Sequence, residues 1–171
     1  EPREYPRFAT AAVNAGLAPM IDPYVRDLEA RLSAGDTSER LFIMQSNGGI
    51  GTSDRCVGEN VHQLILSGPA AGVIGGADEA ARCGFDRCVT FDVGGTSADI
   101  GVIDQSEPRT GFEMELPNGV PCKLPHLEVT TIGAGGGSIA RVDAGGALTV
   151  GPESAGADPG PACYGLTGSE P

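Results

Sequence analysis

The clearest pattern of apolar and polar positions lies between Val89 and Asp104, in the stretch VTFDVGGTSADIGVID. β-forming apolar residues lead into a short polar segment, and apolar residues resume after it. Such a pattern is typical of two strands joined by a tight turn. The sequence therefore predicts a β-hairpin whose turn contains Gly94, Gly95, Thr96 and Ser97.

The turn residues have the chemistry of a phosphate-binding loop. Gly94 and Gly95 can adopt positive φ angles, and they let backbone N–H groups approach an anion without an intervening Cβ. Thr96 and Ser97 add hydroxyl groups within reach of the same anion. We therefore expect these four residues to contact phosphate.

Two carboxylates flank the turn. Asp92 ends the first predicted strand and Asp99 begins the second, so both can lie at the mouth of the turn. Mg²⁺ prefers one or two carboxylates, several waters and phosphate oxygens. The hairpin thus predicts a site for phosphate and Mg²⁺, and the alternative from residue chemistry is an ordinary Gly-Gly hairpin with solvated acids.

Two helices are predicted before residue 35. The Ala-rich segment Tyr5 to Leu17 contains few helix-breaking residues. Asp22-Pro23 then has the character of an N-cap followed by proline at the first helical position. Apolar spacing predicts an amphipathic helix from Pro23 to Ala34, with Gly35 as its stop.

Three further elements are predicted before the hairpin. Leu41 to Met44 is a short apolar run that predicts a buried strand. The polar loop Gln45 to Gly49 follows it and is either a ligand loop at a strand's carboxyl end or a plain surface turn. His62 to Leu66 predicts another strand. Ser67-Gly68-Pro69 predicts a helix start, and the glycines within Ala70 to Arg82 indicate close approach of that helix to another helix or a ligand.

The part of the chain after the hairpin is predicted to be β-rich. Apolar and acidic residues alternate from Phe112 to Leu116, which predicts a strand with one solvated face. Pro117 to Gly119 predicts a turn, because Asn-Gly readily takes positive φ angles. Val120 to Leu124 and Leu127 to Ile132 are predicted as the next strands, so the pattern is that of a β-meander.

A second glycine cluster, GAGGG, occupies Gly133 to Gly137. A strand, a glycine loop and a following hydroxyl again suit contact with phosphate or nucleotide, here at Gly135, Gly136 and Gly137. The cluster matches neither the Walker pattern nor a clean GxGxxG with a following acid, and the alternative is a mobile linker. The Gly- and Pro-rich segment Gly151 to Gly165 predicts an ordered or lid-like loop.

Composition narrows the functional classes. At 171 residues the chain is long enough for one domain with a real core. Its net charge of −12 argues against binding to nucleic acid or to an anionic membrane surface. It contains no run of 18 apolar residues, so no membrane span is predicted. Because it begins without Met and with neither a signal nor a transit peptide, we expect a fragment of a longer protein.

Cysteine and histidine usage predicts no disulfide framework or zinc site. The five cysteines are odd in number and include no CxxC pair, which favours reduced thiols in a cytoplasmic protein. His62 and His126 have no ligand-like neighbour at useful spacing in the sequence. Both imidazoles are therefore expected to be structural.

Several motifs, in order and spacing, resemble the hydantoinase A/5-oxoprolinase family over nearly all of the chain. They are MQSNGG at Met44 to Gly49, SGPAAG at Ser67 to Gly72, FDVGGTSAD at Phe91 to Asp99, TIGAGGGSIA at Thr131 to Ala140, and GPESAGADPGPACYG at Gly151 to Gly165. The resemblance implies an α/β chain that forms part of an actin-like ATPase (ribonuclease H-like) fold, with a β-rich C-terminal portion. In that interpretation the chain is one partial domain with three parts. Residues 1–66 contain the helices and the strand that precede the MQSNGG loop, residues 67–104 contain the small-residue helix and the hairpin, and residues 105–171 form the β-rich portion.

The resemblance also implies roles for the hairpin residues. Asp92, Gly94, Gly95 and Thr96 correspond to the second phosphate loop of the actin-like ATPases, and Asp99 corresponds to the acid that closes it. ATP and Mg²⁺ are the implied cofactors, with both aspartates as catalytic groups that hold the waters of the metal. The family's earlier Asp-x-Gly-Gly-Thr loop is not in this sequence, so at most half of a nucleotide cleft is expected.

The reaction that the resemblance implies is ATP-dependent opening of a cyclic amide, such as 5-oxoproline or N-methylhydantoin, through phosphorylation of the amide oxygen. A hydantoinase B-like subunit or domain is the implied partner, and the isolated fragment is expected to be inactive. Two alternatives stay open. One is the nucleotide-binding subunit of an acetone- or acetophenone-type carboxylase, and the other is a non-catalytic actin-like nucleotide switch or scaffold.

Overall fold

The structure is a computed structural model that describes residues 3–35, 40–166 and 168. It contains two helices, short 3₁₀ segments and ten strands in this part of the chain, which confirms the α/β class. None of the helices described is long and apolar enough to cross a membrane.

The helices are α1 (Glu4–Ala34) and α2 (Ser67–Arg82), and the 3₁₀ segments are Ser53–Arg55, Gly58–Leu64, Pro117–Gly119 and Ala162–Tyr164. The strands are β1 (Phe42–Met44), β2 (Ile50–Thr52), β3 (Cys88–Val93), β4 (Ala98–Asp104), β5 (Glu107–Pro108), β6 (Thr110–Leu116), β7 (Val120–Leu127), β8 (Val129–Ile132), β9 (Ser138–Val142) and β10 (Leu148–Ser154).

Helix α1 is continuous through Pro19 and Pro23, so the prediction of two helices separated by an N-cap at Asp22 is wrong. Tertiary hydrogen bonds outweigh the loss of backbone bonds at the prolines. The Asn14 side-chain amide donates to the carbonyl oxygen of Gly58 at 2.7 Å, and the Asp22 carboxylate accepts from the Gly58 N–H at 3.0 Å. Asp22 therefore anchors α1 to a neighbouring segment instead of starting a new helix.

That neighbouring segment, Gly58–Leu64, is a 3₁₀ helix, so the strand predicted from His62 to Leu66 is wrong. A short apolar run does not distinguish a strand from a buried helical turn. Val61 is completely buried in this segment, and the carbonyl oxygen of Gln63 accepts from the Ser46 hydroxyl at 2.6 Å. Burial against α1 therefore decides the conformation.

Strands β1 and β2 form an antiparallel hairpin, with Phe42 opposite Thr52 and Met44 opposite Ile50. This confirms the strand predicted at Leu41 to Met44 but contradicts its expected burial, because Phe42 is 55% exposed. The loop after β1 is a hairpin connection. It is therefore not the carboxyl end of a strand in a parallel sheet, where ligands commonly bind.

The hairpin loop, residues 45–49, is packed against the protein instead of being a plain surface turn. Ser46 is buried, and its hydroxyl lies within hydrogen-bond distance of the carbonyl oxygens of Gln63 and Ile65. Gly48 has a φ of +79°, and a Cβ there would lie 3.0 Å from a side chain of α2. The loop thus links the 3₁₀ segment, α2 and the end of β7.

The central sheet is built on the predicted hairpin. Strands β3 and β4 pair antiparallel from Cys88 opposite Ile103 to Val93 opposite Ala98, which confirms the two strands around the turn. Strand β4 also pairs with β5 and β8 along its other edge. The turn therefore projects from the middle strand of the sheet.

The predicted β-meander is wrong, because β8 pairs with β4 and β6–β7 form a separate two-stranded sheet. The N–H of Leu127 donates to the carbonyl oxygen of Ser46, and that of Glu128 donates to the carbonyl oxygen of Arg109, both at 2.8 Å. These bonds end the β6–β7 ladder and turn the chain toward β4.

Strand β6 and its turn follow the sequence pattern closely. Asn118 and Gly119 have φ angles of +66° and +75°, which confirms the Asn-Gly turn. The register between β6 and β7 shifts between Gly111 and Glu113. Phe112 lies at this irregularity and is 75% exposed, so the alternation predicts the strand but not the exposure of this side chain.

Helix α2 confirms the predicted helix and packs one face on the sheet. Ala70 and Val73 on α2 form a buried cluster with Ile103 on β4 and Leu127 on β7. The helix ends at the expected position, where Gly84 has a φ of +82°. Burial of this apolar face is the main force that holds α2 against the sheet.

The glycines of α2 allow the helix to approach strand β3 closely. The sequence predicts close approach to another helix or to a ligand, and the neighbour at Gly76 is a strand instead. A Cβ on Gly76 would clash with the Thr90 side chain, whereas a Cβ on Gly75 would have no atom within 4 Å. On the sheet, a Cβ on Gly101 would clash with Val73. Small residues on both surfaces thus bring the helix axis close to the hairpin.

Candidate phosphate-binding site

The two acids predicted at the hairpin are directly opposite each other, Asp92 on β3 and Asp99 on β4. Residues opposite each other in an antiparallel pair project from the same face of a sheet. This face carries α2, since a Cβ on Gly72 would lie 3.9 Å from Oδ2 of Asp92. Like charges in this arrangement destabilise a strand pair, so a cation between the carboxylates would relieve their repulsion.

The two carboxylates differ in their hydrogen bonding. The hydroxyl of Thr131 on β8 donates to Oδ1 of Asp99 at 2.6 Å, and Thr131 is also the register partner of Asp99. Asp92 accepts no hydrogen bond from a side chain elsewhere in the described residues. Asp99 is therefore held in place by its neighbouring strand, while Asp92 can reorient.

The turn between the acids presents backbone donors. The Gly94 N–H donates to the carbonyl oxygen of Ser97 at 2.9 Å and closes the turn. Across residues 3–35, 40–166 and 168, no protein group accepts a hydrogen bond from the N–H of Gly95 or of Thr96. Both residues are exposed. Consecutive N–H groups at a turn form an anion-binding concavity, so this geometry fits a phosphate group.

The second glycine cluster packs directly on this turn. The N–H of Gly136 donates to the carbonyl oxygen of Gly94 at 2.9 Å, and that of Gly137 donates to the carbonyl oxygen of Gly95 at 2.7 Å. A Cβ on Gly135 would lie 2.6 Å from backbone atoms of the turn. The cluster is therefore an ordered layer under the turn rather than a mobile linker.

These bonds bear on the expected role of the second cluster. The N–H of Gly135 donates to the Ser138 hydroxyl at 2.9 Å, so the N–H groups of Gly135, Gly136 and Gly137 all have protein acceptors. Direct phosphate binding by these three residues stays a prediction. The geometry favours a supporting role, in which they hold the turn between β3 and β4.

The loop after β10 adds a third layer. The N–H of Ala155 and the hydroxyl of Ser154 donate to the carbonyl oxygen of Gly137, at 2.8 Å and 3.0 Å. Further along this loop, the Tyr164 hydroxyl lies 3.6 Å from the position of a Cβ on Gly95. Sequence reasoning missed Tyr164, and the only signal for it is its place within a Gly- and Pro-rich motif.

A cavity of about 560 Å³ lies between α2 and β3, and both acids line one part of it. The remaining lining includes apolar side chains such as Val73 and Phe91 together with Gly72 and Gly76. Ligand sites in proteins are typically apolar clefts with a few polar groups. The cavity therefore offers space next to the acids for a ligand with a charged end and an apolar body.

The acids fit one kind of metal site. Among the residues that the structure describes, no group of three or more His, Cys, Asp or Glu side chains is arranged to hold a metal ion. Asp92 and Asp99 would thus hold a cation only with help from water or phosphate oxygens. This is the coordination that Mg²⁺ prefers, so the donor set suits Mg²⁺ brought with a phosphate.

Both histidines have structural contacts. His62 Nδ1 lies 2.9 Å from Oδ1 of Asn14, and burial lowers the pKa of His62. His126 Nδ1 lies 2.7 Å from the carbonyl oxygen of Leu124. The His62 contact connects the 3₁₀ segment to α1, whereas the His126 contact lies within β7, and neither places an imidazole beside the acids of the hairpin.

All five cysteines are free thiols in the structure. Burial raises the pKa of the Cys56 and Cys122 thiols, while Cys83 and Cys163 are exposed. A buried thiol with a raised pKa is a poor nucleophile. Cys56 and Cys122 therefore act as small apolar core residues.

Comparison with solved structures defines the class of protein to which this fold and site belong. The crystal structure of ATP-dependent caprolactamase from Pseudomonas jessenii matches with a TM-score of 0.75 and 38% identity, over 99% of this chain and 24% of that chain. A nucleotide-free structure of acetone carboxylase matches with a TM-score of 0.72 and 26% identity, over 91% of this chain and 22% of that chain. The fold is thus a segment found in ATP-dependent enzymes.

Sequence comparison shows the family. The profile of the hydantoinase/oxoprolinase family matches residues 7–171, and the chain belongs to that family. The caprolactamase alpha subunit of Pseudomonas jessenii is 40% identical over 170 residues, which are 99% of this chain and 24% of the relative. The 5-oxoprolinase 1 of Arabidopsis thaliana is 36% identical over 163 residues, which are 95% of this chain and 12% of the relative. The family resemblance is confirmed, and the chain spans a quarter or less of these relatives.

Proposed function

We propose that this chain supplies a phosphate-binding part of the nucleotide site in an ATP-dependent enzyme that opens a cyclic amide. The observation that carries the proposal is the juxtaposition of free N–H groups on Gly95 and Thr96 with the opposed carboxylates of Asp92 and Asp99. Membership of the hydantoinase/oxoprolinase family supports the reaction class. Two relatives are named for caprolactam and 5-oxoproline, which are both cyclic amides.

Each group of the site has a role in this proposal. The N–H groups of Gly95 and Thr96 bind oxygens of the terminal phosphate of ATP, and the hydroxyls of Thr96 and Ser97 lie beside them. Asp92 and Asp99 orient the waters of a bound Mg²⁺, which supplies neutralisation of phosphate charge. Catalysis of phosphoryl transfer rests mainly on such positioning and electrostatic stabilisation.

The proposed chemistry activates an unreactive ring. The amide oxygen attacks the terminal phosphorus of ATP, a new oxygen–phosphorus bond forms, and the bond to the bridging oxygen breaks as ADP leaves. Phosphorylation makes the ring carbon electrophilic enough for attack by water. The ring carbon–nitrogen bond then breaks as the nitrogen takes a proton from that water, and hydrolysis of the resulting acyl phosphate by a second water releases inorganic phosphate. In this chain the glycine layers hold the donor turn in one geometry during transfer, so its N–H groups need no reorganisation as charge develops on the phosphoryl group.

The proposed enzyme works together with a further subunit or domain and is located in the reducing environment of the cytoplasm. A relative is the alpha subunit of caprolactamase, which by its name is one of several subunits. We therefore propose that ring hydrolysis uses a hydantoinase B-like subunit or domain. The five free thiols support a cytoplasmic location.

A carboxylase role is the second candidate, because the fold also matches acetone carboxylase with a TM-score of 0.72. Both candidates use this half of the site in the same way, that is, to hold ATP phosphates. They differ in the acceptor of the phosphoryl group. The substrate that stimulates ATP hydrolysis therefore discriminates between them.

The test is phosphate release from ATP by the full-length protein together with its partner subunit. Parallel reactions contain 5-oxoproline, N-methylhydantoin, caprolactam, or acetone with bicarbonate. Stimulation by a cyclic amide is the expected result. Stimulation only by acetone with bicarbonate would assign the chain to the carboxylases, and equal rates with every compound would favour a nucleotide switch or scaffold.

A further inference from the structure

Tyr164 occupies a position between the two glycine segments of the site. Its hydroxyl oxygen lies 3.6 Å from the position that a Cβ on Gly95 would occupy and 3.7 Å from that of a Cβ on Gly136. Backbone N and the Cβ position of one residue are about 2.5 Å apart, so the hydroxyl lies within roughly 6 Å of the Gly95 nitrogen. One phosphate group can accept hydrogen bonds from two donors at this separation.

The surrounding loop is shaped to place this ring. A Cβ on Gly160 would lie 2.6 Å from Cδ2 of Tyr164, and Gly160 also has a φ of +73°. The N–H of Tyr164 donates to the carbonyl oxygen of Pro161 at 3.0 Å, and Pro161 is itself buried. Only glycine at position 160 leaves room for the aromatic ring in this orientation.

The hydroxyl has no partner in the described part of the chain, although it lies beside two loops rich in backbone polar groups. The side chain is 46% exposed, so a ligand can reach it. The neighbouring N–H groups of Gly95 and Thr96 are also without protein acceptors over the same ranges. Two segments that are distant in sequence therefore bring a hydroxyl donor close to the turn that carries these N–H groups.

We propose that the Tyr164 hydroxyl is a third donor to the phosphate group bound by Gly95 and Thr96, namely the terminal phosphate of a nucleoside triphosphate. This inference rests on the proposed function. It assigns a ligand-binding role to the loop after β10, whose other contacts with the site are structural; the loop predicted from Gly151 begins only after Ser154, where β10 ends. A hydrogen bond to a charged group contributes more than one between neutral groups, so its loss should be measurable.

The experiment compares Tyr164→Phe with the unmodified full-length protein and its partner subunit. The substitution removes one oxygen and keeps the ring that packs on Gly160. We expect kcat/KM for ATP to fall at least tenfold while the melting temperature stays unchanged. Tyr24→Phe is the matched control, because Tyr24 lies on α1 and is 64% exposed, and it should leave kcat/KM unchanged.

A second measurement uses the unmodified protein and does not depend on turnover. Tyrosines are nitrated with tetranitromethane, with or without Mg²⁺ and a non-hydrolysable ATP analogue, and peptides are analysed by mass spectrometry. We expect the analogue to slow nitration of Tyr164 severalfold and to leave Tyr24 unaffected. A purely structural tyrosine would show no such protection.

The outcomes separate this inference from the function on which it rests. If the unmodified protein releases phosphate from ATP but Tyr164→Phe keeps kcat/KM within twofold and Tyr164 is not protected, the tyrosine has no role in phosphate binding and the proposed function stands. If the unmodified protein neither hydrolyses ATP nor protects Tyr164, both are overturned.

Discussion

At the scale of single residues, the two acids of the hairpin have unequal surroundings. Asp99 is fixed by the Thr131 hydroxyl at 2.6 Å, whereas Asp92 accepts no side-chain hydrogen bond in the described part of the chain and lies beside Gly72 of α2. A carboxylate that can reorient is suited to follow the waters of a metal, and a fixed one is suited to define their position. Asp92 is therefore the more informative residue to change.

Asp92→Asn should lower Mg²⁺-dependent release of phosphate from ATP at least tenfold, which corresponds to about 1.4 kcal/mol of transition-state stabilisation. The amide keeps the size of the side chain and removes its charge. Asp104→Asn is the control, because Asp104 lies on the same hairpin but pairs with Arg87 at the opposite end. Equal activity of the two variants would remove the metal role of Asp92.

Gly135→Ala tests the layer under the turn. Its Cβ would lie 2.6 Å from backbone atoms of Thr96 and Ser97, and backbone atoms cannot rotate away as a side chain can. We expect a destabilisation of about 1–3 kcal/mol in the free energy of unfolding, together with a loss of phosphate release of at least tenfold.

The matched variant for this test is Gly133→Ala in the same cluster. A Cβ on Gly133 would have no atom within 4 Å, so its free energy of unfolding should change by no more than about 0.5 kcal/mol. Urea titrations and phosphate release on both variants check the pair. Equal behaviour of the two would mean that the cluster does not support the turn.

At the scale of elements, the contact between α2 and β3 depends on one glycine. The Thr90 side chain of β3 lies against Gly76 of α2. Its hydroxyl accepts a hydrogen bond from the Gly101 N–H at 3.1 Å and donates one to the Gly101 carbonyl oxygen at 3.4 Å. The Thr90 side chain is thus not free to move aside. Gly76→Ala should therefore destabilise the protein by about 1–3 kcal/mol.

Gly75→Ala should have the opposite effect on the same helix. Its Cβ would have no atom within 4 Å, and alanine is favoured over glycine in a helix interior by up to about 1 kcal/mol. The free energy of unfolding from urea titration checks both variants. Destabilisation of similar size at positions 75 and 76 would show that helix propensity, rather than contact with β3, explains the glycines.

The junction between α1 and the 3₁₀ segment should depend on pH. Burial lowers the pKa of His62 below its usual value of 6.5, so the unfolded chain binds more protons than the folded one just below pH 6.5. The contribution of this group to stability is complete above that pH and is lost as the pH falls through the folded-state pKa.

We therefore expect the unfolding temperature to decrease between pH 7.5 and 5.5, and His62→Gln to reduce this decrease. Glutamine can still donate to the Asn14 oxygen that His62 contacts. A pH profile that is the same with and without His62 would contradict this assignment.

Sequence predicted some elements well and others poorly, for identifiable reasons. Helix α2 and the β3–β4 hairpin follow local signals, namely a helix start at Ser67 to Pro69 and a polar turn between apolar runs. Helix α1 does not, because side-chain bonds from Asn14 and Asp22 to a distant segment override the prolines. The partner of β8 was also unpredictable, since alternation specifies the faces of a strand and not its neighbour.

At the scale of the whole molecule, the candidate site joins segments that are far apart in sequence. The residue types of the turn predicted donors and acids at Asp92 to Asp99, and the structure places them together. The stacking of Gly133 to Gly137 on this turn depends on backbone bonds that no side-chain pattern encodes. The approach of Tyr164 depends on the course of a loop with little regular structure.

Helix α1 contacts a strand that is far from it in sequence, which has a consequence for folding during synthesis on the ribosome. The Thr10 hydroxyl accepts from the N–H of Lys123 on β7 at 2.8 Å, a contact across 113 positions of the chain. At a translation rate of about 5–20 residues per second, that partner strand is made roughly 6–23 s after the helix. During this interval α1 can already dock on the Gly58–Leu64 segment through Asn14 and Asp22, so only its contact with β7 is a late step in co-translational folding.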